Sequence, residues 1–287
     1  MKELVVLSGK GGTGKTTIVG AFAALAESKV LCDCDVDAAD LHLLLHPELR
    51  EENEFRSGQT AHIDEHKCTQ CGLCQDMCRF DAIHNFTVSD AFCEGCGFCS
   101  QICPEEAIIM EENLSGQWFV SDTSHGPMVH ARLGIAEDNS GKLVEIVRTQ
   151  AKRLAEEQGL ELAITDGPPG IGCPVISSIA GADLVLIITE PTLSGMHDLE
   201  RVAGVCEHFQ IPALVCVNKY DINEENTRQI DLMCGELGIE VISKIPFDNI
   251  VTEALIHCKS VIEYSNGQTA RQIDAMWQSV HQKIVAG

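Results

Sequence analysis

Leu4-Val5-Val6-Leu7-Ser8-Gly9-Lys10-Gly11-Gly12-Thr13-Gly14-Lys15-Thr16-Thr17, near the start of the 287-residue chain, is the stretch that decides the fold. Leu4 to Leu7 form an apolar run suited to a buried strand, the glycines turn the chain, and Ile18, Phe22, Leu25 and Ala26 recur at helical spacing. Strand, glycine loop and helix are the setting in which G-x-x-x-x-G-K-[ST], matched here by residues 9–16, cradles phosphate. Glycines let backbone N–H groups turn toward phosphate oxygens, and the helix N-terminus adds partial positive charge. The pattern places Lys15 on the β- and γ-phosphates and Thr16 on Mg²⁺, with Gly11, Gly12, Thr13, Gly14 and Thr17 completing the cradle.

Outward from this loop, Lys29–Asp33, Leu160–Asp166, Leu184–Thr189, Ala213–Asn218 and Glu240–Ile245 read as strands, with helical segments between most of them. The alternation predicts an α/β fold with a doubly wound, mostly parallel sheet. Acidic motifs follow two of the strands: Asp33-Cys34-Asp35-Val36-Asp37, and Asp166-Gly167-Pro168-Pro169-Gly170. Asn218-Lys219-Tyr220-Asp221 and Ile245-Pro246-Phe247-Asp248 end two later ones, where a base would lie.

Between about Arg56 and Gln117 the pattern breaks, because apolar runs shorten and cysteines crowd. A shift of 25 residues superposes Cys68, Cys71, Cys74 and Cys78 on Cys93, Cys96, Cys99 and Cys103, and Ala82-Ile83 on Ala107-Ile108. Both halves carry the C-x₂-C-x₂-C-x₃-C spacing of bacterial ferredoxins, in which the fourth cysteine of each run serves the other cluster. One [4Fe-4S] cluster is therefore expected on Cys68, Cys71, Cys74 and Cys103, and a second on Cys93, Cys96, Cys99 and Cys78. Structural zinc is the alternative, although zinc pairs seldom need the x₃ step or this crossed symmetry. The expected domains are residues 1–55 and 118–287 of a P-loop domain, with an inserted ferredoxin-like α+β domain at 56–117. Glu51-Glu52-Asn53-Glu54 and Glu111-Glu112-Asn113 read as its junctions, and Trp118–Val120 with Met128–Ile135 as a returning hairpin. Arg79 stands where Pro104 follows Cys103 in the other half, a cation expected to raise the potential of the cluster that Cys78 serves.

Lys10-Gly11-Gly12-Thr13-Gly14-Lys15-Thr16-Thr17 resembles the deviant Walker A motif of the MinD/ParA/Mrp and nitrogenase iron-protein class. There the first lysine contacts nucleotide held by a partner subunit, which implies a nucleotide-dependent dimer. Asp33–Asp37 resembles that class's switch I and Asp166–Gly170 its switch II. The resemblance implies Asp35 for the attacking water and Asp166 for the metal shell, with Lys10 and Lys15 on the phosphates. It also puts Asn218 on adenine and the turn Pro246-Phe247-Asp248 against the ring. ATP or ADP with Mg²⁺ is implied, while N-K-x-D leaves a guanine nucleotide open. Over its whole length the chain is similar to MinD/Mrp-superfamily ATPases that contain an inserted ferredoxin domain.

The reading that follows is an ATP-hydrolysing iron–sulfur protein, a homodimer or a heterodimer with a related ATPase, coupling hydrolysis to electron transfer to a redox partner. The alternatives are a cluster carrier or maturation ATPase acting on an apo-metalloprotein, and a MinD-like positioning ATPase whose clusters are structural. Composition narrows the field. Lys plus Arg number 20 against 43 Asp plus Glu, a formal charge of −23, which argues against nucleic acid and anionic membrane as partners. Fifteen cysteines without an export signal point to the reducing cytoplasm and to metal ligation rather than disulfides. Cys206, Cys216, Cys234 and Cys258 fit core positions, Cys173 beside the second acidic motif is a candidate redox group, and Gln268 to Val285 reads as an amphipathic helix packed on the sheet.

Overall fold

The structure is a computed structural model that describes residues 1–134 and 140–286. In chain order it begins β1 (Lys2–Ser8), α1 (Lys15–Leu25), β2 (Lys29–Asp33), α2 (Leu41–Leu45), β3 (Glu48–Ile63) and α3 (Leu73–Asp76). There follow β4 (Ile83–His84), β5 (Thr87–Val88), α4 (Phe98–Ile102), β6 (Ile108–Thr123), β7 (Gly126–Leu133) and α5 (Ser140–Gln158). Then come β8 (Leu162–Pro169), α6 (Cys173–Ile179), β9 (Leu184–Thr189), α7 (Leu193–His208), β10 (Ala213–Asn218) and α8 (Glu224–Glu236). The chain closes with β11 (Glu240–Ile245), α9 (Asn249–Ile256), α10 (Val261–Tyr264) and α11 (Gln268–Ala286).

Two compact units emerge. The first holds residues 1–53, 118–132 and 140–286; the second holds 54–117 with Leu133 and Gly134. In the first, the strand order is β11-β10-β9-β1-β8-β2-β7-β6-β3, to which the 48–53 and 118–123 parts of β3 and β6 belong. All pairings from β11 through to β7 are parallel. β6 and β7 are joined by two residues, a link only antiparallel neighbours allow. Alternation along β1 explains the helices on both faces. Leu4 and Val6 join a core with α1, α2, α10 and α11, while Val5 and Leu7 join one with α6, α7 and α8. Ile273, Met276, Trp277, Val280 and Ile284 bury one face of α11 in the first of these cores, and the Trp277 ring lies 4.9 Å from that of Phe22.

Two expectations are corrected here. The acidic stretches 51–54 and 111–113 are not loop junctions; they lie inside β3 and β6, each 16 residues long. Cys258 is exposed, whereas Cys206, Cys216 and Cys234 are buried, and burial pushes the thiols of those three up to about 11, 12 and 11. The hairpin expected at 118–120 and 128–135 is present as β6 and β7 up to Leu133, and Ile135 lies outside the described residues. β8 runs three residues past Asp166, and within that extension Gly167 lies so close to β1 that a Cβ there would meet Leu7 Cδ2 at 2.5 Å.

The second unit repeats itself at the backbone level. Left-handed residues recur 25 apart: Gln70 (φ 56°) and Gly95 (φ 62°), Gly72 (φ 84°) and Gly97 (φ 69°), Asp81 (φ 53°) and Glu106 (φ 48°). Gly95 has a further reason to lack a side chain, since a Cβ would stand 2.3 Å from the Gln59 carbonyl oxygen. The cross-links between halves are exchanged as a pseudo-twofold requires: Asp64 N–H donates to Ala107 O at 2.7 Å and Ser89 N–H to Ala82 O at 2.8 Å. Few side chains fill this unit. Its buried cluster is Ala61, Cys74, Ile83 and Ile108, edged by Ile63, Val88, Met110 and four more of the cysteines.

Candidate functional site

The first unit gathers its polar residues at the C-terminal ends of the parallel strands, where open α/β sheets bind ligands. A cavity of about 650 Å³ there is lined by the loop residues Gly11 to Thr17, by Asp35 and Asp37, and by Pro168 and Pro169. Gly14 introduces α1 in the left-handed conformation (φ 93°), and a Cβ on it would strike Asn218 Nδ2 at 2.5 Å, so the loop's turn demands glycine twice over.

Lys15 is the hub. Its Nζ donates to Asp166 Oδ1 at 2.6 Å and to Asp35 Oδ2 at 3.4 Å, and its side chain is only 6% exposed. Thr16 Oγ1 donates to the other Asp166 oxygen at 2.7 Å. Strand register explains the meeting, because Asp33 on β2 pairs directly with Asp166 on β8. Asp33 itself is fully buried and accepts from the backbone N–H of Asp35 and Leu41, both at 3.2 Å, which shapes the turn that presents Asp35. Burial raises the Asp33 carboxyl well above the usual range, with Asp166 adding to the effect. Burial also raises Asp35, which Lys15 partly offsets. For Lys15 burial opposes the charge, yet Asp166 and Asp35 together outweigh it and raise its pKa. Asp35 and Asp166 share one buried ammonium, a carboxylate-rich setting that suits a divalent cation beside Thr16 and Asp166. Thr13 Oγ1, buried with no partner among the described residues, suits an anionic oxygen at the loop.

Lys10 points to another loop. Its Nζ reaches Thr192 Oγ1 at 3.2 Å, Ser194 Oγ at 3.1 Å and Glu190 Oε2 at 3.7 Å. Glu190 also pairs with Lys219, which donates to Gly12 O at 3.4 Å. Sequence reasoning did not name Glu190, Thr192 or Ser194, and the signal was their place just beyond the end of β9. Asn218 lies at the loop as expected, but its amide is engaged there: Nδ2 donates to Thr13 O at 2.8 Å and Oδ1 accepts from Lys219 N at 3.0 Å. Asp221 accepts from Phe247 N at 2.7 Å and so holds the Pro246-Phe247 turn, whose ring is exposed. Asp248 caps α9 through Ile250 N and accepts from Thr269 Oγ1 at 2.6 Å, which holds its carboxyl below the usual range.

In the second unit two cavities divide the cysteines. One, of about 400 Å³, is lined by Cys74, Cys78, Cys93, Cys96 and Cys99. The other, of about 20 Å³, is lined by Cys68, Cys71, Cys74 and Cys103. Backbone donors to sulfur repeat as well: Ala82 N–H to Cys78 Sγ and Ala107 N–H to Cys103 Sγ, both at 3.4 Å. Among the described residues no three His, Cys, Asp or Glu side chains converge as they would around one metal ion. A four-iron cube is a larger body that keeps its thiolates apart, and a set of four cysteines with N–H donors to sulfur is the donor chemistry it takes. The residues fit such a group in the larger cavity, and in the smaller one the walls would have to part.

Comparison with known proteins bears on the first unit's site. Residues 4–261 match the family described as the CobQ/CobB/MinD/ParA nucleotide binding domain. An uncharacterized protein of Methanocaldococcus jannaschii is 33% identical over 98% of this chain and 97% of its own length. Among solved structures, the septum site-determining protein MinD of Pyrococcus horikoshii, complexed with Mg-ADP, is similar with a TM-score of 0.60 at 17% identity, covering 100% of this chain and 97% of that one. Apo McdA from Cyanothece is similar with a TM-score of 0.61 at 16% identity, covering 98% and 99%.

Proposed function

This chain belongs to the CobQ/CobB/MinD/ParA nucleotide-binding domain family, and on that premise we propose that it binds and hydrolyses ATP with Mg²⁺ as a nucleotide-dependent dimer, coupling hydrolysis to electron transfer through two [4Fe-4S] clusters. The observation that carries the reading is the Lys15 hub, which joins the loop to Asp35 and Asp166 in one buried triad. With nucleotide bound, Lys15 would exchange carboxylate for phosphate oxygens, and Thr16 together with Asp166 would hold Mg²⁺, whose charge would stabilise the phosphates. Asp35, released from Lys15 and raised by burial, is then placed to orient the attacking water and accept its proton. Lys10 gives the loop its deviant Walker A character and reaches the nucleotide of a second subunit, a copy of this chain or a related ATPase. Asn218 and the turn Pro246-Phe247-Asp248 flank the adenine.

Residues 56–117 are read as an inserted ferredoxin-like domain between ATPase segments 1–55 and 118–287, in a cytoplasmic setting that keeps thiols reduced. When bound, the clusters supply one-electron chemistry. Cys68, Cys71, Cys74 and Cys103 would hold one, and Cys93, Cys96, Cys99 and Cys78 the other. The chain's path supports coupling, since the segment Asp33–Asp37 leads through α2 directly into β3. A redox protein is the partner this reading needs. Among the described residues no helix is long and apolar enough to cross a membrane.

Asp35→Asn should lower the ATPase rate by about 10²–10⁴-fold while retaining nucleotide binding, and should trap an ATP-bound dimer on size exclusion. Oxidation of the reduced protein by a one-electron acceptor, followed by anaerobic stopped flow, should differ between ATP- and ADP-bound forms. Identical rates in both forms and in Asp35→Asn would sink the coupling. The similarity to a septum site-determining protein favours a second reading, a positioning ATPase with structural clusters. That reading expects partner binding to survive replacement of all eight cysteines.

A further inference from the structure

The Lys10 ammonium is engaged within its own chain. An ammonium carries three hydrogens, and three oxygens of the segment 190–194 surround this one. Nζ donates to Ser194 Oγ at 3.1 Å and to Thr192 Oγ1 at 3.2 Å, and it stands 3.7 Å from Glu190 Oε2. The acceptors are themselves fixed. Thr192 is the N-cap of α7, its Oγ1 accepting from Gly195 N at 3.0 Å, and the Ser194 hydroxyl lies 3.3 Å from it. Glu190, whose side chain is 14% exposed, gives its other oxygen to Lys219, which donates to Gly12 O at 3.4 Å. The start of the glycine loop is seated against the same helix, since a Cβ on Gly9 would run into Asp198 Cβ.

We propose that Glu190, Thr192 and Ser194 form a lock that holds Lys10 in its own subunit and so sets the ATP concentration at which two subunits pair. This rests on the reading of Lys10 as the residue that crosses to a partner's nucleotide. One side chain cannot serve both places, so phosphate oxygens across the interface must outcompete every contact kept within the chain. Only the fraction of chains with Lys10 released is competent to pair, and the apparent affinity falls by that fraction. A γ-phosphate adds negative charge at the partner's site, so ATP draws Lys10 out of the segment more strongly than ADP does. Hydrolysis then returns the lysine to Glu190, and the pair parts. Lys219 works against the lock, because it competes with Lys10 for the same carboxylate.

The test uses the full-length protein, purified anaerobically, and two readouts. The first is the rate at which an N-hydroxysuccinimide acetate labels Lys10 in the nucleotide-free chain, followed by mass spectrometry. The second is the ATP concentration that gives half-maximal dimer with Mg²⁺ in analytical ultracentrifugation, measured in the Asp35→Asn background so that ATP is not consumed. Ser194→Ala and Glu190→Gln should each speed the labelling and lower the ATP requirement by about 3–10-fold. Lys219→Gln, which leaves Glu190 to Lys10 alone, should slow the labelling and raise the requirement. Glu190→Gln and Lys219→Gln break the same ion pair, so a merely structural role for that pair predicts shifts of one sign. Unchanged labelling in Ser194→Ala and Glu190→Gln overturns the lock, as does faster labelling with an unmoved ATP requirement. A chain that stays monomeric at saturating ATP removes the reading of Lys10 as a residue that crosses to a partner, and the labelling rates tell that failure apart from failure of the lock.

Discussion

Asp35 carries a cost that its position explains. Burial raises its carboxyl above the usual range even with Lys15 3.4 Å away, so ionising it in the folded protein is unfavourable. Because the folded-state pKa lies above the unfolded one, the native state holds its proton more tightly. The penalty is therefore present at neutral pH and fades as pH falls through the raised pKa toward the ordinary carboxylate value. Asp35→Asn removes the charge and keeps the shape. Nucleotide-free Asp35→Asn should melt about 2–4 °C above wild type at pH 7, and the gap should close by pH 4 in calorimetry at matched ionic strength. A lower melting temperature at pH 7 would mean that the Lys15 contact outweighs the burial penalty. The meeting of Lys15, Asp35 and Asp166 was legible in the sequence because a glycine loop ending in Lys-Thr and two acidic motifs at strand ends form recognisable patterns. The partners of Lys10 were not, since Glu190, Thr192 and Ser194 arrive from a loop some 180 residues away that carries no motif.

Among the elements, α11 bears on the nucleotide loop through packing rather than contact. Trp277 is 4% exposed and its ring meets Phe22 of α1, the helix that Lys15 begins. Truncating a buried aromatic side chain leaves a cavity as well as losing transfer energy, so Trp277→Ala should cost about 3–5 kcal/mol in chemical denaturation. A cost under about 1 kcal/mol would show that α11 is not part of the core. This helix was legible because its apolar residues recur on one face with nothing to interrupt them. β3 and the first part of β6 were not legible, for an opposite reason: most residues of β3 are exposed and the Glu111–Asn113 stretch of β6 is largely so, so no alternation of apolar and polar residues marks them, and their Glu runs read as loop. β3 closes the sheet as its edge strand, where charged side chains guard unpaired backbone groups against another chain. The same Glu51-Glu52 pair that obscured the strand in the sequence is thus suited to its place at the edge.

At the scale of the whole molecule the two units differ in what holds them. The first buries a continuous set of aliphatic and aromatic side chains on both faces of its sheet. The second buries one small cluster of Ala61, Cys74, Ile83 and Ile108, with Phe55, Ala82 and Ala107 buried besides, a small core against the ordering of about 60 residues at roughly 1–2 kcal/mol of backbone entropy each. Cysteines edge this small cluster, and on the proposed reading of them as cluster ligands, metal ligation would supply stability that packing does not, as in small domains that fold only when loaded. Removing iron with a chelator should therefore unfold residues 54–117 while leaving the first unit intact. Hydrogen exchange should show protection lost across 54–117, retained in β1, β8 and β9, and nucleotide affinity within about twofold of the loaded protein. Protection that persists across 54–117 after the iron has gone would mean that the cysteines were never its support. Loss of protection in β1 together with the second unit would mean that the two fold as one, since a first unit with its own core has no need of the other's iron.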